Sequence, residues 1–468
     1  MIKKEEIDLK VKEFKIHRSN VERDYIFGWF LFGLFTISDL KENIFLKGGN
    51  ALRKCYFENT RFSSDIDLGI PGDINQEILM TEINKVCDFI QNKTKILFSK
   101  EENRIDEKFS ATDAPIPDLK VYEVRIYFKD FYGDADHLKI KISMDITRFD
   151  KVLLPIQNLD LIHPYSDKNQ LNCKIRCMKL EEIIATKLKC ILQRQHAPDL
   201  FDYVYSIKLP ESTLNRKELI QTFIKKTIFS KNPHVVKEIL IKTQFKYFKE
   251  MWTKTIICAK SIMFDVEGAI ETFISDMEEI FKIYPNSGLR NFTFFEATLR
   301  LPIMEAGRAQ TLLKVTYKNE ERILEPYSLK YKERKDGTEW EYLYAYKLNG
   351  GKSEPGIRSF LAKDFQSIEN TEKKFTPQYQ IELCKAGEIP EKKYLFDQNK
   401  PAKRPKLKNI FNSYLGKIKN EIRYIYECNY CGKKFTKNKN TPIIRKHKTK
   451  GGYLCNSVYG YYIDTKYY

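Results

Sequence analysis

The feature that most constrains this chain is a pair of aspartates inside a strand-like segment, SSDIDLGI, at residues 63–70. Because side chains alternate between the two faces of a β-strand, Asp65 and Asp67 share one face while Ile66 and Leu68 take the other. Two like charges at this separation repel, and the arrangement is costly unless a cation lies between them. The segment therefore predicts a strand that holds a cation. The alternative is an edge strand whose acids face solvent.

Two glycines precede this strand. The segment IFLKGG (44–49) predicts a strand that ends at Gly48 and Gly49, and NALRKCYF (50–57) predicts a helix with Asn50 as its N-cap. Glycines let the backbone come close to a ligand, and free N–H groups at the start of a helix attract phosphate. Taken alone, the segment favours a plain turn over a phosphate-binding site.

A third acid lies on a second alternating segment, LKIKISMDITRFD, at residues 138–150. Asp145 occupies one face, and the apolar residues of the other face are Leu138, Ile140, Ile142, Met144 and Ile146. If this strand neighbours the first, three carboxylates meet at one place. Such a cluster suits Mg²⁺ ions that bridge nucleotide phosphates and activate an attacking oxygen.

The segment LEEIIATKLKCILQR (180–194) predicts an amphipathic helix with an apolar stripe formed by Leu180, Ile183, Ile184, Leu188 and Ile191. Lys187 and Arg194 fall inside that stripe. Inward-facing cations are costly unless anionic partners meet them, so a bound anion is one explanation. The others are snorkelling at the edge of the stripe, or pairing with Asp199 and Asp202.

These motifs together resemble the AbiEii/AbiGii-type nucleotidyltransferase toxins of bacterial abortive-infection and toxin–antitoxin systems. The resemblance covers roughly residues 20–210: VERDYIFGWFLFGLF is similar to the family's first helix, and the glycine pair, RFSSDIDL, the strand with Asp145 and LEEIIATKLKCILQRQHAPDLFD follow in order. It implies a polymerase-β-like nucleotidyltransferase fold in which Asp65, Asp67 and Asp145 hold Mg²⁺ for catalysis with an NTP. It further implies a catalytic or triphosphate contact for Lys187. The other nucleotide-site residues that it implies are Gly48, Gly49, Ser63, Arg194, Asp199 and Asp202.

Two positions depart from the family pattern. The family often has Thr where this chain has Asn50, a change that looks harmless, and Arg immediately before the acid where this chain has Pro198. The second departure could alter which nucleotide base the site prefers, or it could weaken the site.

Residues 308–380 resemble a WYL domain, a small SH3-like barrel, through the order of VTY, EPYSL, YLYAY, IRSF and FTP. The tripeptide that names this domain is here Glu341-Tyr342-Leu343, displaced from Trp340. The resemblance implies a sensing or nucleic-acid-binding module whose candidate contacts are Tyr317, Tyr327, Tyr342 and Arg358. The alternative is that these aromatic residues fill the interior of a small barrel.

The C-terminal segment CNYCGKKFTKNKNTPIIRKHKTKGGYLC predicts a zinc site formed by Cys428, Cys431, His447 and Cys455. Three thiolates and one imidazole suit tetrahedral Zn²⁺, and so short a basic segment needs a metal to fold. Residues 401–450 hold 15 Lys/Arg against 2 Asp/Glu. A positive block of this kind favours nucleic acid, although it could also serve solubility alone.

Composition sets the remaining bounds. A chain of 468 residues with 42% hydrophobic and 13% aromatic residues predicts several packed domains. The most apolar run, YIFGWFLFGLF (25–35), spans only about 16 Å as a helix and is expected to be buried rather than to cross a membrane. The N-terminus lacks the apolar core of a signal peptide, and the other seven cysteines show no disulfide-like spacing, so a cytoplasmic protein with reduced thiols is expected.

We therefore predict an α+β multidomain protein. Its expected parts are a nucleotidyltransferase domain (1–210), a helical extension (211–290), a WYL-like β-barrel domain (291–395), and a basic linker with a zinc-binding module (396–468). The leading functional hypothesis is NTP-dependent transfer of a nucleotide to RNA, with tRNA ends among the acceptors, and with the WYL-like and zinc modules positioning or regulating the transfer.

Two other functions stay open at this stage. The chain could be a nucleic-acid-binding regulator with a vestigial transferase domain, or it could transfer the nucleotide to a protein or small molecule. DNA, through the WYL-like and zinc modules, and an antitoxin protein are the further candidate partners.

Overall fold

The computed structural model describes residues 2–107, 121–129, 139–148, 150–209, 214–284, 292–333, 338–351, 353–379, 381–383, 386–388, 422–428, 431, 433–437, 443–449, 454–455 and 460–467. The chain divides into two compact units, Met1–Pro390 and Glu391–Tyr468. The predicted basic linker around residues 398–409 lies outside the described residues, as do Cys384 and the turn at Gly432.

Seven strands form a mixed sheet near the start of the first unit. They are β1 (Phe45–Lys47), β2 (Asp65–Ile70), β3 (Arg104–Glu107), β4 (Val121–Lys129), β5 (Lys139–Arg148), β6 (Gln157–Asp160) and β7 (Lys174–Cys177). Their order is β3-β4-β5-β2-β1-β7-β6. β2 runs parallel to β5, and β1 runs parallel to β7, while the other neighbours are antiparallel.

Helices pack around this sheet: α1 (Lys4–Phe14), α2 (Arg18–Thr36), α3 (Gly48–Ala51), α4 (Gln76–Thr94), α5 (Leu180–Arg194) and α6 (Ala197–Lys208). The apolar run at residues 25–35 lies within α2, where Tyr25, Phe27 and Phe30 have no exposed surface. The predicted burial of this run is therefore confirmed. Within the described residues, no helix combines the length and the apolar character that crossing a membrane requires.

Four more helices follow in the stretch predicted to be helical: α7 (Arg216–Lys225), α8 (Pro233–Ile241), α9 (Lys246–Thr255) and α10 (Val266–Ile280). Their buried residues, such as Phe223, Phe248 and Phe273, belong to the same continuous hydrophobic core as the seven-stranded sheet. These helices therefore extend the core of the first sheet instead of forming a core of their own.

The remainder of the first unit is a β-rich layer. It contains β8 (Phe292–Thr293), helix α11 (Ala297–Ala309), β9 (Thr311–Tyr317), β10 (Glu320–Glu333), β11 (Glu339–Asn349), β12 (Gly356–Leu361) and β13 (Phe365–Lys374). The order is β12-β11-β10-β9-β13, with β8 also pairing with β11. Among the described strands β12 and β13 are the two ends of this order, so a six-stranded sheet is shown and a closed SH3-like barrel is not. Its hydrophobic core is separate from that of the first sheet.

The second unit contains a three-stranded antiparallel sheet of β14 (Ile422–Cys428), β15 (Lys434–Lys437) and β16 (Gly460–Tyr467), in the order β15-β14-β16. Its small core consists of Tyr426, Cys428, Phe435, Ile444 and Cys455. Two of these five core residues are cysteines, so the metal site predicted from the sequence is also the centre of this fold.

Candidate functional site

Strands β2 and β5 bring the three predicted acids to one face of the first sheet. Asp67 lies in register with Asp145 on the parallel neighbour, and Asp65 lies in register with Ser143. All three aspartates are half-buried. The proximity of the two strands, on which the predicted carboxylate cluster depended, is therefore present in the structure.

The face of β2 opposite these acids is part of the hydrophobic core, where Ile66 and Leu68 are buried. A fourth acid, Glu123 on β4, lies in register with Asp145 from the other side. Glu123 also accepts hydrogen bonds from Arg125, with an Nη2 to Oε2 distance of 3.0 Å. The alternating pattern of VYEVRIYF could have revealed Glu123, but sequence reasoning missed it.

The carboxylates disturb one another's ionisation. Burial, together with the charges of Asp65 and Asp145, raises the pKa of Asp67 to about 7, and the cations Lys47 and Lys187 offset only part of this increase. Asp67 therefore keeps its proton to a higher pH than an ordinary aspartate does. A divalent cation would remove this cost, and oxygen ligands are those that Mg²⁺ prefers.

The three aspartates are neighbours in the sheet, but their carboxylate oxygens do not all lie within the short mutual distances of a preformed metal site. Among the described residues, one set of three or more Cys, His, Asp or Glu side chains has ligand atoms that all lie within 4.8 Å of one another, and it is the Cys/His set in the second unit. The aspartate face therefore fits a metal by its donor chemistry and its electrostatics, and the carboxylates would move closer together around an ion.

The two glycines allow the start of α3 to lie close to the strand that carries the acids. Gly48 has a φ of +71°, which favours glycine, and a Cβ at this position would overlap the carboxylate of Asp67. A Cβ at Gly49 would lie 2.7 Å from Oγ of Ser63. The approach of this backbone to the carboxylates therefore requires glycine at both positions. Their phosphate-binding role stays a prediction.

Asn50 is not the N-cap that the sequence predicts, because α3 begins two residues earlier, at Gly48, with Lys47 as its N-cap. Asn50 is buried inside the helix, and its Nδ2 donates a hydrogen bond to the backbone carbonyl of Asp65 at 2.5 Å. Ser63 Oγ donates to Oδ1 of Asp65 at 3.2 Å. Asn50 and Ser63 thus orient the segment that carries the first aspartate.

Lys47 is a site residue that sequence reasoning missed. It lies on β1 in register with Asp67 and donates hydrogen bonds to Oγ1 of Thr147, at 2.8 Å, and to the carboxylate of Asp150. Its position immediately before the glycine pair was the available signal. Lys47 places a positive charge beside the aspartates without pairing directly with one of the three.

Lys187 is buried and pairs with two aspartates, at 3.0 Å to Asp199 and 2.9 Å to Asp202. Arg194 adds a 2.9 Å contact to Asp199, and Arg61 adds a 2.7 Å contact to Asp202. The structure therefore shows the pairing that was one of the sequence-based alternatives for Lys187. Direct contact of Lys187 with phosphate stays a prediction.

This charge network is strongly coupled. Burial alone would raise the pKa of Asp199, but Lys187 and Arg194 hold that pKa well below its usual range. Burial likewise opposes the charge of Lys187, yet Asp202 and Asp199 hold the pKa of Lys187 above its usual range. All of these groups are thus charged at neutral pH. Arg61, the member that sequence reasoning missed, opens the same RFSSDIDL motif.

Pro198 occupies the first turn of α6, where its missing N–H removes no helical hydrogen bond. A guanidinium nevertheless reaches the following acid, because Arg194 donates to both carboxylate oxygens of Asp199. In this chain the guanidinium beside Asp199 therefore comes from the preceding helix.

In the second unit, the four predicted zinc ligands lie together. The Sγ atoms of Cys428 and Cys455 are 3.7 Å apart, and Sγ of Cys431 is 3.2 Å from Nε2 of His447. Nδ1 of His447 lies 3.0 Å from the carbonyl oxygen of Arg445, an interaction that leaves Nε2 for a metal. This donor set and its spacing are compatible with zinc.

The four candidate contacts of the β-rich layer fall into two groups. Tyr317 and Tyr327 are buried, and their hydroxyls bond to Asp364 and Glu325, respectively. These two residues fit the interior-filling alternative. Tyr342 is half-buried and Arg358 is exposed, so both could meet a partner, and their contact role stays a prediction.

A mixed sheet that presents aspartates beside a glycine-led helix is the architecture of a nucleotidyltransferase. Residues 29–258 match the family model described as "Nucleotidyl transferase AbiEii toxin, Type IV TA system". Members of the family are nucleotidyltransferases, so the resemblance stated from the sequence is confirmed for this segment. The match continues past residue 210 to the end of α9, which agrees with the shared core of the sheet and these helices.

Among solved structures, the chain is similar to MenT4, a nucleotidyltransferase toxin from Mycobacterium tuberculosis H37Rv, with 14% identity and a TM-score of 0.40 over 60% of this chain and 91% of that chain. Similarity at this level transfers no residue role. No curated protein matches the chain significantly.

Proposed function

We propose that this protein is a metal-dependent nucleotidyltransferase toxin that transfers a nucleotide from an NTP to an RNA acceptor, with tRNA ends among the candidates. The observation that carries the proposal is the in-register placement of Asp67 and Asp145, with Asp65 two residues away on the same face. The raised pKa of Asp67 supports it, because neighbouring carboxylates repel one another and a bound cation removes that cost.

In this proposal, Asp65, Asp67 and Asp145 hold Mg²⁺, which would neutralise the charge of the triphosphate and activate the attacking hydroxyl. The backbone at Gly48 and Gly49 approaches the phosphates, where no side chain stands in the way. Ser63 is hydrogen-bonded to Asp65 and orients that carboxylate.

The network around Lys187 supplies positive charge on the second side of the site. Three cations, Lys187, Arg194 and Arg61, share two aspartates, so the network carries a net positive charge next to the acidic face. A triphosphate would be attracted by this surplus, and Lys187 could exchange one of its aspartate contacts for a phosphate oxygen.

An RNA acceptor is supported by an aromatic face on β11. Four aromatic side chains lie on the face opposite the core at alternate positions: Trp340, Tyr342, Tyr344 and Tyr346. Nζ of Lys332 lies 5.1 Å from the ring centre of Tyr342, and Nζ of Lys363 lies 5.5 Å from that of Trp340. Rings interleaved with cations suit stacking on unpaired bases. The positive block at residues 401–450 supports the same kind of partner.

We further propose that Cys428, Cys431, His447 and Cys455 bind structural Zn²⁺ and that an antitoxin partner exists, as the description of the matched family suggests. Zinc would hold together a sheet of three strands whose core is too small to be stable without a metal.

The direct test incubates the purified protein with labelled NTPs, Mg²⁺ and total RNA. We expect label in RNA with the wild type and none with Asp65→Ala or Asp67→Ala, because each change removes a ligand from a site that acts through charge stabilisation. Asp39→Ala, a change at an exposed aspartate, is the matched control and should keep the activity. Undiminished labelling by both site variants would refute the assignment.

Two other results would redirect the proposal. RNA binding without transfer by the wild type would favour a regulator with a vestigial transferase domain. Label in protein or small molecules, but not in RNA, would change the acceptor and leave the reaction as proposed.

A further inference from the structure

A cavity of about 260 Å³ lies between the nucleotidyltransferase part and the β-rich layer of the first unit. Its walls come from the end of α5, from α8, from α11 and from the segment 381–383. This volume is just below the range of about 300–1,000 Å³ that drug-sized ligands occupy. The cavity could therefore hold a small molecule.

The floor of the cavity is apolar and consists of Leu192, Ile239, Leu301, Met304 and Leu383. All five side chains are almost completely buried. Because water gains few hydrogen bonds against such a surface, an apolar group would be the more favourable occupant.

The mouth of the cavity is cationic. Arg194 and Arg308 are exposed and line it, and the lining residues that the structure describes include no acid. Nη1 of Arg308 donates to Oε1 of Gln195 at 2.6 Å, and its guanidinium lies 4.7 Å from the ring centre of Tyr247. These contacts hold Arg308 in place while leaving donors for a ligand.

Gln195 also contributes to the mouth of the cavity. It caps α5 with a left-handed backbone, at a φ of 49°, a position where glycine is common. A glycine here could not accept the hydrogen bond from Arg308, so the side chain of Gln195 has a structural role at the mouth of the cavity.

From these observations we infer that the cavity binds a small carboxylic acid with an apolar body, the body lying on the apolar floor and the carboxylate meeting Arg308 and Arg194. An anionic head group is complementary to the two guanidiniums. Nε and Nη2 of Arg194 already donate to Asp199, so Arg308 is the one that we expect to bind the carboxylate in a bidentate manner. An apolar tail of about eight carbons suits the floor and the volume.

The site is connected to the charge network by one residue. Arg194 lines the cavity and also donates to Asp199, which in turn accepts from Lys187. A ligand carboxylate that draws Arg194 away would leave Asp199 to bind Lys187 more tightly. Lys187 would then be less available to a triphosphate, and transfer would slow. This regulatory step rests on the proposed function, whereas binding to the cavity does not.

The binding test uses isothermal titration calorimetry on the full chain with octanoate, 1-octanol and acetate. We expect octanoate to bind at least about tenfold more tightly than either control compound, since each control lacks one of the two complementary groups. Arg308→Leu should reduce octanoate affinity to that of 1-octanol. Ile381→Trp should fill the cavity and abolish binding. Lys318→Leu, at an exposed cation in the turn between β9 and β10, should change nothing.

The proposal is overturned if octanoate does not bind the wild type, or if neither Arg308→Leu nor Ile381→Trp weakens its binding. Thermal melts show whether Ile381→Trp is folded, and the exposed Arg308 provides a variant that does not disturb the core. A separate assay measures the ratio of transfer rates with and without octanoate. We expect a decrease of at least about threefold in the wild type and a ratio near one in Arg308→Leu. Binding without this decrease would refute the regulatory step alone, and absent transfer with intact binding would refute the proposed function alone.

Discussion

Replacing Asp67 with Asn should make the metal-free protein more stable while abolishing its activity. The pKa of Asp67 is raised to about 7 in the folded protein, against about 3.9 in an unfolded chain. Between these pH values the folded protein keeps a proton that the unfolded chain has lost. The contribution of the Asp67 carboxyl group to the free energy of unfolding is therefore largest below about pH 4, and it is lost as the pH rises to about 7.

The two pKa values correspond to about 4 kcal/mol at pH 8 as an upper bound. Because Asp67 is half-buried and solvent screens part of this interaction, we expect about half of this, or about 2 kcal/mol. For a cooperative unit that spans Met1–Pro390, this is an increase of about 2 to 3 °C in Tm for Asp67→Asn. At pH 5 the difference in the free energy of unfolding between Asp67→Asn and the wild type should be only about a third of its value at pH 8.

Differential scanning calorimetry in EDTA measures the difference in Tm between Asp67→Asn and the wild type at pH 8 and at pH 5. Asp39→Asn, at an aspartate with 83% of its side chain exposed, is the matched control and should not change Tm. With excess Mg²⁺ the wild type should become more stable than Asp67→Asn, because only the wild type binds the ion and gains stability from it. A variant that is no more stable than the wild type at pH 8, or a difference that does not depend on pH, would refute the reasoning.

Three further predictions follow from the other groups. Lys187→Met should lower the free energy of unfolding by about 3 to 5 kcal/mol, since it leaves two buried carboxylates with one cation fewer. It should also slow nucleotide transfer measured below the Tm of the variant, and wild-type stability and rate would contradict both expectations. The protein should carry about one equivalent of zinc by elemental analysis, and Cys428→Ser with Cys431→Ser should lose it and unfold only the second unit; a metal-free wild type would refute the zinc site. Deleting residues 398–468 should weaken RNA binding and flatten its salt dependence in filter-binding titrations, because fewer phosphates are neutralised; equal affinity and slope would show that the basic block is a solvated surface.

Much of the site could be predicted from short-range patterns. Strand alternation places Asp65 and Asp67 on one face whatever the rest of the chain does, because the period of two is a property of the extended backbone. The CxxC spacing of Cys428 and Cys431 likewise depends only on a tight turn. The N-cap at Asn50 was predicted wrongly, since the left-handed Gly48 starts the helix earlier and the amide of Asn50 is drawn to the backbone of Asp65.

Other members of the site depend on pairings between distant segments. The register that puts Asp145 beside Asp67 joins two residues that are 78 positions apart in the chain, and Glu123 and Lys47 enter the site through the same sheet order. No local pattern carries this information, because the order of strands is selected by burial of their apolar faces in a common core.

The sequence by itself therefore determined the kinds of groups that this protein can use: paired acids on a strand, glycines before them, basic residues on an amphipathic helix, and a set of thiols with an imidazole. Only the tertiary structure decided which of them meet. Lys187 could have snorkelled or faced an anion, but the packing of α5 against α6 places it between Asp199 and Asp202. The physical reason is that a buried charge needs a partner within a few ångströms, and which partner comes within that distance is set by how the helices and strands pack.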